Sequence, residues 1–433
     1  MDDPVALPES AQTASRTRPV PLLACHACGT LHRARGIPKG SVATCRACRT
    51  KLFGDRRGSL QAVLALNIAA LAAFIAAYLY PFMSITYAGS THTATLFTGP
   101  IMLAREGMWP LGLLVSAGAL IFPAGRMLAT IWVLAPLSFG YILPGGLFML
   151  RLMHALRRWA MLEILFLGVL VAYVKMSTWV AITLQPGIYA LAIVIVLLSA
   201  ADAMYEQRAV WERIGRQNRF VLDKTPIHRL VACESCNQLN EVRERKPHLS
   251  AYCSRCGAPL HVRKPASIAR TWALVVAAAI LYVPANLLPI MNWVYLGEDW
   301  PDTIFSGILA LVAAKQFPIA ILVFCASLMV PILKLGGLAW LLISVQRGWL
   351  NRRRSRTFAY AVIEMIGRWS MVDIFMISLL VALVNFGSLS TIQPGLGALC
   401  FAAVVVLTML AAESFDPRLI WDSDVDPAEQ SRI

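Results

Sequence analysis

Residues 25–48 read CHACGTLHRARGIPKGSVATCRAC, and residues 233–256 read CESCNQLNEVRERKPHLSAYCSRC. Both follow Cys-x2-Cys-x16-Cys-x2-Cys, at a separation of 208 positions. Each quartet is followed by a long apolar stretch. The chain is therefore a duplicated unit, a four-cysteine module and then a membrane block, and this decides most of the architecture.

Two sulfurs three positions apart on a tight turn bind one ion, and two such knuckles complete a tetrahedron. Gly29 and Gly257, each directly after a ligand cysteine, suit that turn. The spacing is that of a zinc ribbon. Two structural Zn2+ ions are expected, one on Cys25, Cys28, Cys45 and Cys48 and one on Cys233, Cys236, Cys253 and Cys256. A rubredoxin-like iron site has the same ligand set and is the alternative. All positions are thiolate, which leaves no open coordination site for chemistry. His26 and His32 read as surface histidines, and Cys325 and Cys400 as small apolar packing residues. Residues 1–21 lack the apolar core of a signal peptide, so paired CxxC motifs favour metal over disulfide.

The 433 residues carry a net charge of +15, only 15% charged residues and a mean hydropathy of +0.63. A soluble chain of this length is rarely so apolar, and several windows of about 20 apolar residues point to a polytopic membrane protein. Four spans fit each half: 60–80, 110–134, 159–177 and 186–204, then 268–288, 318–343, 368–386 and 394–412. Residues 357–367 can run as an amphipathic helix into the seventh span. Arginines crowd the connections at 151–158, 208–219 and 347–356, whereas 82–108 and 290–316 are poor in basic residues. The positive-inside rule then places both termini and both ribbons in the cytoplasm. Basic residues around the first quartet suit anionic lipid headgroups. With no aromatic stacking platform beside them, nucleic acid is not an expected partner.

The resulting fold class is an all-α polytopic membrane protein of two tandem repeats. Each is a small zinc ribbon of short strands followed by a four-helix block, eight spans in total. The divisions are a disordered tail (1–21), ribbon 1 (22–55), membrane block 1 (56–205), a linker (206–228), ribbon 2 (229–263), membrane block 2 (264–413) and a tail (414–433).

The repeat also filters the charges inside the spans, where an ionisable group is costly unless paired, hydrated or snorkelled. Adding 208 maps Pro123 to Pro331 and Arg126 to Lys334, and adding 210 maps Glu163 to Asp373. Charge sign is kept at both positions, so Arg126/Glu163 and Lys334/Asp373 are candidate acid–base pairs. Ser327 and Lys334 share a helix face, as do Ser370 and Asp373, and Thr408 is a further candidate. Ala119 and Ala160 replace the two serines in the first half, so the second half is the richer site. A structural interhelical ion pair or snorkelling cations would explain the same residues. Pro123 and Pro331 free carbonyls and permit kinks. No phosphate loop, nucleophile elbow or HExxH occurs, and the chain is not expected to be an enzyme.

The twin quartets, the eight spans and the paired Arg-Trp-x-Met-x-Glu/Asp segments at 158–163 and 368–373 resemble the paraquat-inducible protein A family (PqiA/LetA). The resemblance runs from Cys25 to about Glu413. It implies an inner-membrane partner of periplasmic MCE-domain proteins, which form oligomeric lipid tunnels across the Gram-negative envelope. The implied function is the passage of phospholipids between that membrane and the tunnel, with proton coupling through the polar site as one mode. A rubredoxin-like electron-transfer protein and a non-transporting anchor for the tunnel are the competing readings.

Overall fold

The computed structural model describes residues 20–33, 38, 41–54, 59–87, 90–141, 143, 145–176, 181–214, 218–220, 230–242, 251–295, 298–349, 351–383 and 390–422. Seven helices are long and apolar enough to cross a membrane: Leu60–Leu79, Trp109–Ser138, Pro186–Met204, Ser267–Leu287, Phe317–Gln346, Arg353–Leu383 and Leu396–Ser414. The remaining expected span, the third of repeat 1, is the helix Leu162–Met176, with 15 residues. Residues 177–180, which follow it, lie outside the described residues. In repeat 2 the amphipathic segment is a helix, Arg353–Gly367, which runs through a 3-10 turn at Arg368–Met371 into the buried helix Val372–Leu383. Its counterpart in repeat 1, Gly146–Trp159, ends on extended backbone at Ala160.

On the side away from the ribbons, the connections are built rather than irregular. Met83–Tyr87 is the central strand of an antiparallel sheet, flanked by Ser90–Ala94 and Ala181–Leu184. Met291–Tyr295 plays the same part between Glu298–Asp302 and Ser390–Pro394. A short helix follows each hairpin, Thr98–Arg105 and Ile304–Ala313. Thr303 caps the second through a reciprocal bond with Ser306. Pro186 opens the fourth helix of repeat 1, as a proline without a needed N–H can. In repeat 2 the matching Pro394 ends a strand, and Gly395 caps the helix instead.

The second span of each repeat carries a π-helical turn, Ala117–Ile121 and Phe324–Met329, just before Pro123 and Pro331. A proline has no N–H for the carbonyl four residues back. For Pro123 that carbonyl is Ala119 O, and the Tyr78 hydroxyl donates to it at 2.7 Å. In repeat 2 Tyr282 donates to Leu328 O at 3.2 Å, one position after the carbonyl four residues before Pro331. The expected kink is thus a π-turn, and in each repeat a tyrosine of the first span bonds to a carbonyl within it.

First and fourth spans run side by side within each repeat. Between repeats, the central element is Val372–Leu383, every residue of which is buried. It packs on Leu162–Met176 and on Thr98–Arg105. Three first-half glycines let it approach. A Cβ on Gly168 would meet Phe375 Cβ at 3.1 Å, one on Gly118 would meet Phe375 Cζ at 3.2 Å, and one on Gly99 would lie 2.7 Å from Ser378 O.

The ribbons are exchanged between the blocks. Ribbon 1 pairs Val20–Ala24 with Leu31–Arg33 and Val42–Thr44 with Lys51–Gly54. Its first strand also pairs with Arg219–Phe220 of the linker, so it begins inside the expected tail. Trp421 packs on its cysteine cluster, Arg354 donates to Ala47 O at 2.7 Å, and Arg418 donates to His26 O at 3.4 Å. All three belong to the second membrane half or the segment after it. Ribbon 2 instead shares a core with Val63, Leu134, Met153 and Trp211 of the first half and the linker. Leu22 and Ala24 of ribbon 1 meet Leu239 of ribbon 2. Each half therefore carries the other's metal module. The expected linker is largely structured, with the helix Gln207–Ile214, and the expected second tail is packed as far as Asp422, which binds Arg263 at 2.6 Å. That carboxylate pushes the Arg263 guanidinium pKa up.

Gly99→Ala is expected to destabilise the protein by about 1–3 kcal/mol, because the added methyl meets backbone that cannot move alone. Thermal unfolding in detergent should show a lowered midpoint, while Gly336→Ala, where a Cβ meets nothing within 4 Å, should not lower it.

Candidate functional site

The metal centres come from local backbone geometry. In each knuckle the first cysteine N–H bonds a carbonyl five residues on, and its carbonyl accepts from the residue four on. For Cys25 these are Thr30 O at 2.9 Å and Gly29 N at 2.8 Å, and Cys45, Cys233 and Cys253 repeat the pattern. The residue after the second cysteine is left-handed in all four knuckles: Gly29, Arg49, Asn237 and Gly257. The glycines ease that conformation in two, and arginine and asparagine accept it in the others.

All four sulfurs of each quartet lie within 4.8 Å of one another and can hold a metal ion. Cys25–Cys48, Cys28–Cys45, Cys233–Cys256 and Cys236–Cys253 sulfurs are each 3.5 Å apart. A tetrahedral ion with bonds of about 2.3 Å needs about 3.8 Å, so small outward shifts would seat it. Within each knuckle one thiol donates to the other: the bond lowers the Cys28 and Cys233 pKa values and raises those of Cys25 and Cys236, so a bound cation would be what holds all four as thiolates. His32, expected as a surface residue, is half-buried with Nε2 3.2 Å from Cys45 Sγ. Asn240 Nδ2 lies 3.6 Å from Cys253 Sγ in the second quartet. Both are outer partners of a sulfur ligand.

The membrane candidates separate into two unlike centres. In the second half Lys334, Ser327, Ser370, Asp373 and Thr408 are all buried. The Lys334 ammonium donates to Thr408 Oγ1 at 2.7 Å and to Gly367 O at 3.3 Å. Ser327 donates to the Asp373 carboxylate. Lys334 is 1% exposed, and among the described residues no carboxylate forms an ion pair with it. The expected Lys334/Asp373 pair is thus a cluster in which the two charges have separate hydrogen-bond partners. Ser370 Oγ is buried without a partner. A Cβ on Gly367 would make ordinary contact with Lys334, 3.7 Å from Cε and 3.8 Å from Nζ.

In the first half the expected Arg126/Glu163 pair does not form. Glu163 is exposed in the first turn of its helix. Arg126 instead donates to Asp202, at the ribbon-side end of the fourth span, and Arg157 Nη2 lies 3.4 Å from the other oxygen of that carboxylate. Asp202 wins because it faces inward on a helix packed against the first span, whereas the turn into Leu162–Met176 points Glu163 outward. Asp202 and Arg157 are the residues the reading of the sequence missed. Arg157 occupies the repeat position of Gly367, which was visible in the register, but Asp202 faces Leu410 in the alignment and has no mate to reveal it.

Thr408 likewise has Ala200 as its mate. The same location therefore holds Arg–Asp–Arg in one repeat and Lys–Thr–carbonyl in the other. The first arrangement gives its cations a carboxylate to share, and the second holds an ammonium with neutral acceptors. Asp202→Asn should leave two guanidinium groups facing each other and cost about 1–3 kcal/mol, with part of the loss recovered by adding Arg126→Gln. Equilibrium unfolding of the single and double variants checks this, and an Asp202→Asn protein as stable as wild type would contradict it.

The comparisons with known proteins agree with this architecture. The model of the family described as paraquat-inducible protein A matches residues 60–215 and again 268–424. The chain is 32% identical over 403 residues to the intermembrane transport protein PqiA of Escherichia coli (strain K12), covering 92% of this chain and 95% of that protein. It is 30% identical to the lipophilic envelope-spanning tunnel protein A of the same organism, covering 92% and 91%. A probable intermembrane transport protein of Haemophilus influenzae is 27% identical over 93% of this chain and 96% of its own length. No solved structure matches. With both membrane halves matched and the relatives aligned almost end to end, the chain belongs to the paraquat-inducible protein A family.

Proposed function

We propose that this chain is the inner-membrane subunit of a lipid transport system, passing phospholipids between the bilayer and a periplasmic tunnel of MCE-domain protein. The family membership supports a membrane transport role, and relatives bear names of intermembrane transport and of an envelope-spanning tunnel. Both ribbons face the cytoplasm in this reading, as the arginine-rich connections favour. Each quartet holds a structural zinc ion that fastens its ribbon to the opposite membrane half.

The observation that carries the mechanistic part is the contrast between the two polar centres. Arg126 is neutralised by Asp202, while Lys334 is held by Thr408 and a backbone carbonyl. A buried cation without a counter-charge is a functional candidate by default, because its cost in the membrane is otherwise unexplained. Lys334, Asp373, Ser327, Ser370 and Thr408 form the coupling site. Arg126, Arg157 and Asp202 are its structural counterpart, and Glu163 takes no part. Loss of a proton from Lys334 weakens its bonds to Thr408 and Gly367, and protonation of Asp373 weakens the one from Ser327. These bonds join the second, third and fourth spans of repeat 2. A proton arriving or leaving therefore changes how tightly those helices are tied beside the immobile helix Val372–Leu383.

Cells that depend on this chain for envelope integrity should become detergent-sensitive with Lys334→Ala or Asp373→Asn, at normal protein levels, and stay resistant with Glu163→Gln. Full complementation by stably expressed Lys334→Ala and Asp373→Asn would overturn the coupling role. Elemental analysis of purified protein should find two zinc ions per chain, one per quartet. Iron with visible absorbance would instead favour an electron-transfer protein.

A further inference from the structure

Between the two ribbons and the ribbon-side end of the first membrane block lies a crevice of about 520 Å3. Lys51 of ribbon 1, Gln238 and Arg255 of ribbon 2, Arg157, and Arg208 and Trp211 of the linker helix line it. Its volume is that of a small-molecule site, about 300–1,000 Å3. The carboxylates on its walls are already engaged: Asp202 with Arg126 and Arg157, Glu212 with Arg208, and Glu206 with partners of its own.

What distinguishes the residues around the crevice is a set of unmet donors closed off behind its walls. Arg255 Nε and Nη2, Gln238 Nε2, Trp211 Nε1 and the Tyr205 hydroxyl are buried without a hydrogen-bond partner. With Gln238 Oε1, the lining residues hold six of the fourteen such atoms among the described residues. Gln238 is 2% exposed and Trp211 1%. Each buried unmet donor costs about 1–3 kcal/mol, so their concentration in residues around one crevice points to a ligand that accepts hydrogen bonds once these side chains turn toward it. Water would serve donors and acceptors alike. Five donors against one acceptor, beside Lys51, select an anion. A carboxylate offers two oxygens, whereas a phosphate presents more acceptor sites over a wider range of directions and suits arginine.

We propose that this crevice binds a phosphate-bearing ligand, supplied either as a soluble phosphate ester or as the headgroup of a phospholipid from the adjacent bilayer surface. Because the walls come from both ribbons and the first membrane block, a bound phosphate would tie the exchanged ribbons to one another and to that block. This site is separate from the Lys334 cluster and does not depend on the transport reading.

The test uses the full-length, metal-loaded chain in maltoside micelles, which carry no phosphate. Glycerol 3-phosphate and short-chain phosphatidylglycerol are titrated by calorimetry, with glycerol as control, and hydrogen exchange is followed in peptides covering 230–242. One or both phosphate compounds should bind and protect that segment, and glycerol should not. Binding of glycerol 3-phosphate identifies a soluble ester as sufficient, and binding of phosphatidylglycerol alone identifies the lipid as the source. Arg255→Gln should weaken binding about tenfold or more with metal content unchanged. Trp211→Phe, distant in sequence from the metal ligands, should weaken it as well and guards against a ribbon that fails to fold. Binding by neither compound, or wild-type affinity in Trp211→Phe and in metal-retaining Arg255→Gln, would overturn the proposal and leave a water-filled crevice.

Discussion

The close fit of one helix against the opposite half governs the arrangement of this protein. Val372–Leu383 is buried along its whole length, and it can approach the first half because Gly99, Gly118 and Gly168 present no side chain. The repeat register gives Gly118 and Gly168 the mates Ala326 and Ser378, so the second half lacks two of the three clefts that the first half provides. The duplication is thus asymmetric in packing: the third span of repeat 2 becomes a central post. Asp373 and Ser370 sit at the ribbon-side end of that post, and neighbouring spans bring Ser327, Lys334 and Thr408 to it. Without a hydrophobic driving force between helices in lipid, such small-residue contacts supply much of the association.

Duplication followed by divergence also explains the two polar centres. Both repeats keep a cation just after the proline of the second span. In repeat 1 an aspartate between two arginines completes an ion-paired triad, in repeat 2 a threonine and a carbonyl take the place of aspartate and second arginine, and glycine stands at the position of Arg157. The exchanged ribbons add a fastening of their own. Each module is continuous in sequence with one membrane half and packed on the other, so neither half can be displaced far without straining a ribbon.

Much of this was legible in the residues. The cysteine spacing announces both ribbons, and the 208-residue register aligns the prolines, the cations and the Arg-Trp segments. Hydropathy places the spans, although the helix Leu162–Met176 is shorter than the span expected there. The far-side strands carried a signal that went unused: Met83, Ile85 and Tyr87 alternate with Ser84 and Thr86 in the period of a strand. Other features had no local signal. The exchange of ribbons is a matter of tertiary packing by Trp421, Arg354 and Trp211, none of which is marked by periodicity. The partner of Arg126 was misread because repeat logic favours mated positions, and Asp202 has no mate. His32 looked like a surface residue because its nearness to Cys45 arises only once the two knuckles close on one another.

The central claim is that the Lys334 cluster couples a proton to lipid movement. The most direct measurement is the transfer of a fluorescent phospholipid from proteoliposomes holding this chain and its tunnel partner to acceptor vesicles, with and without an imposed pH gradient. The account predicts that the gradient accelerates transfer by the wild-type chain and has no effect on Lys334→Gln. Transfer that ignores the gradient in the wild-type chain, or that responds to it equally in Lys334→Gln, would contradict the claim.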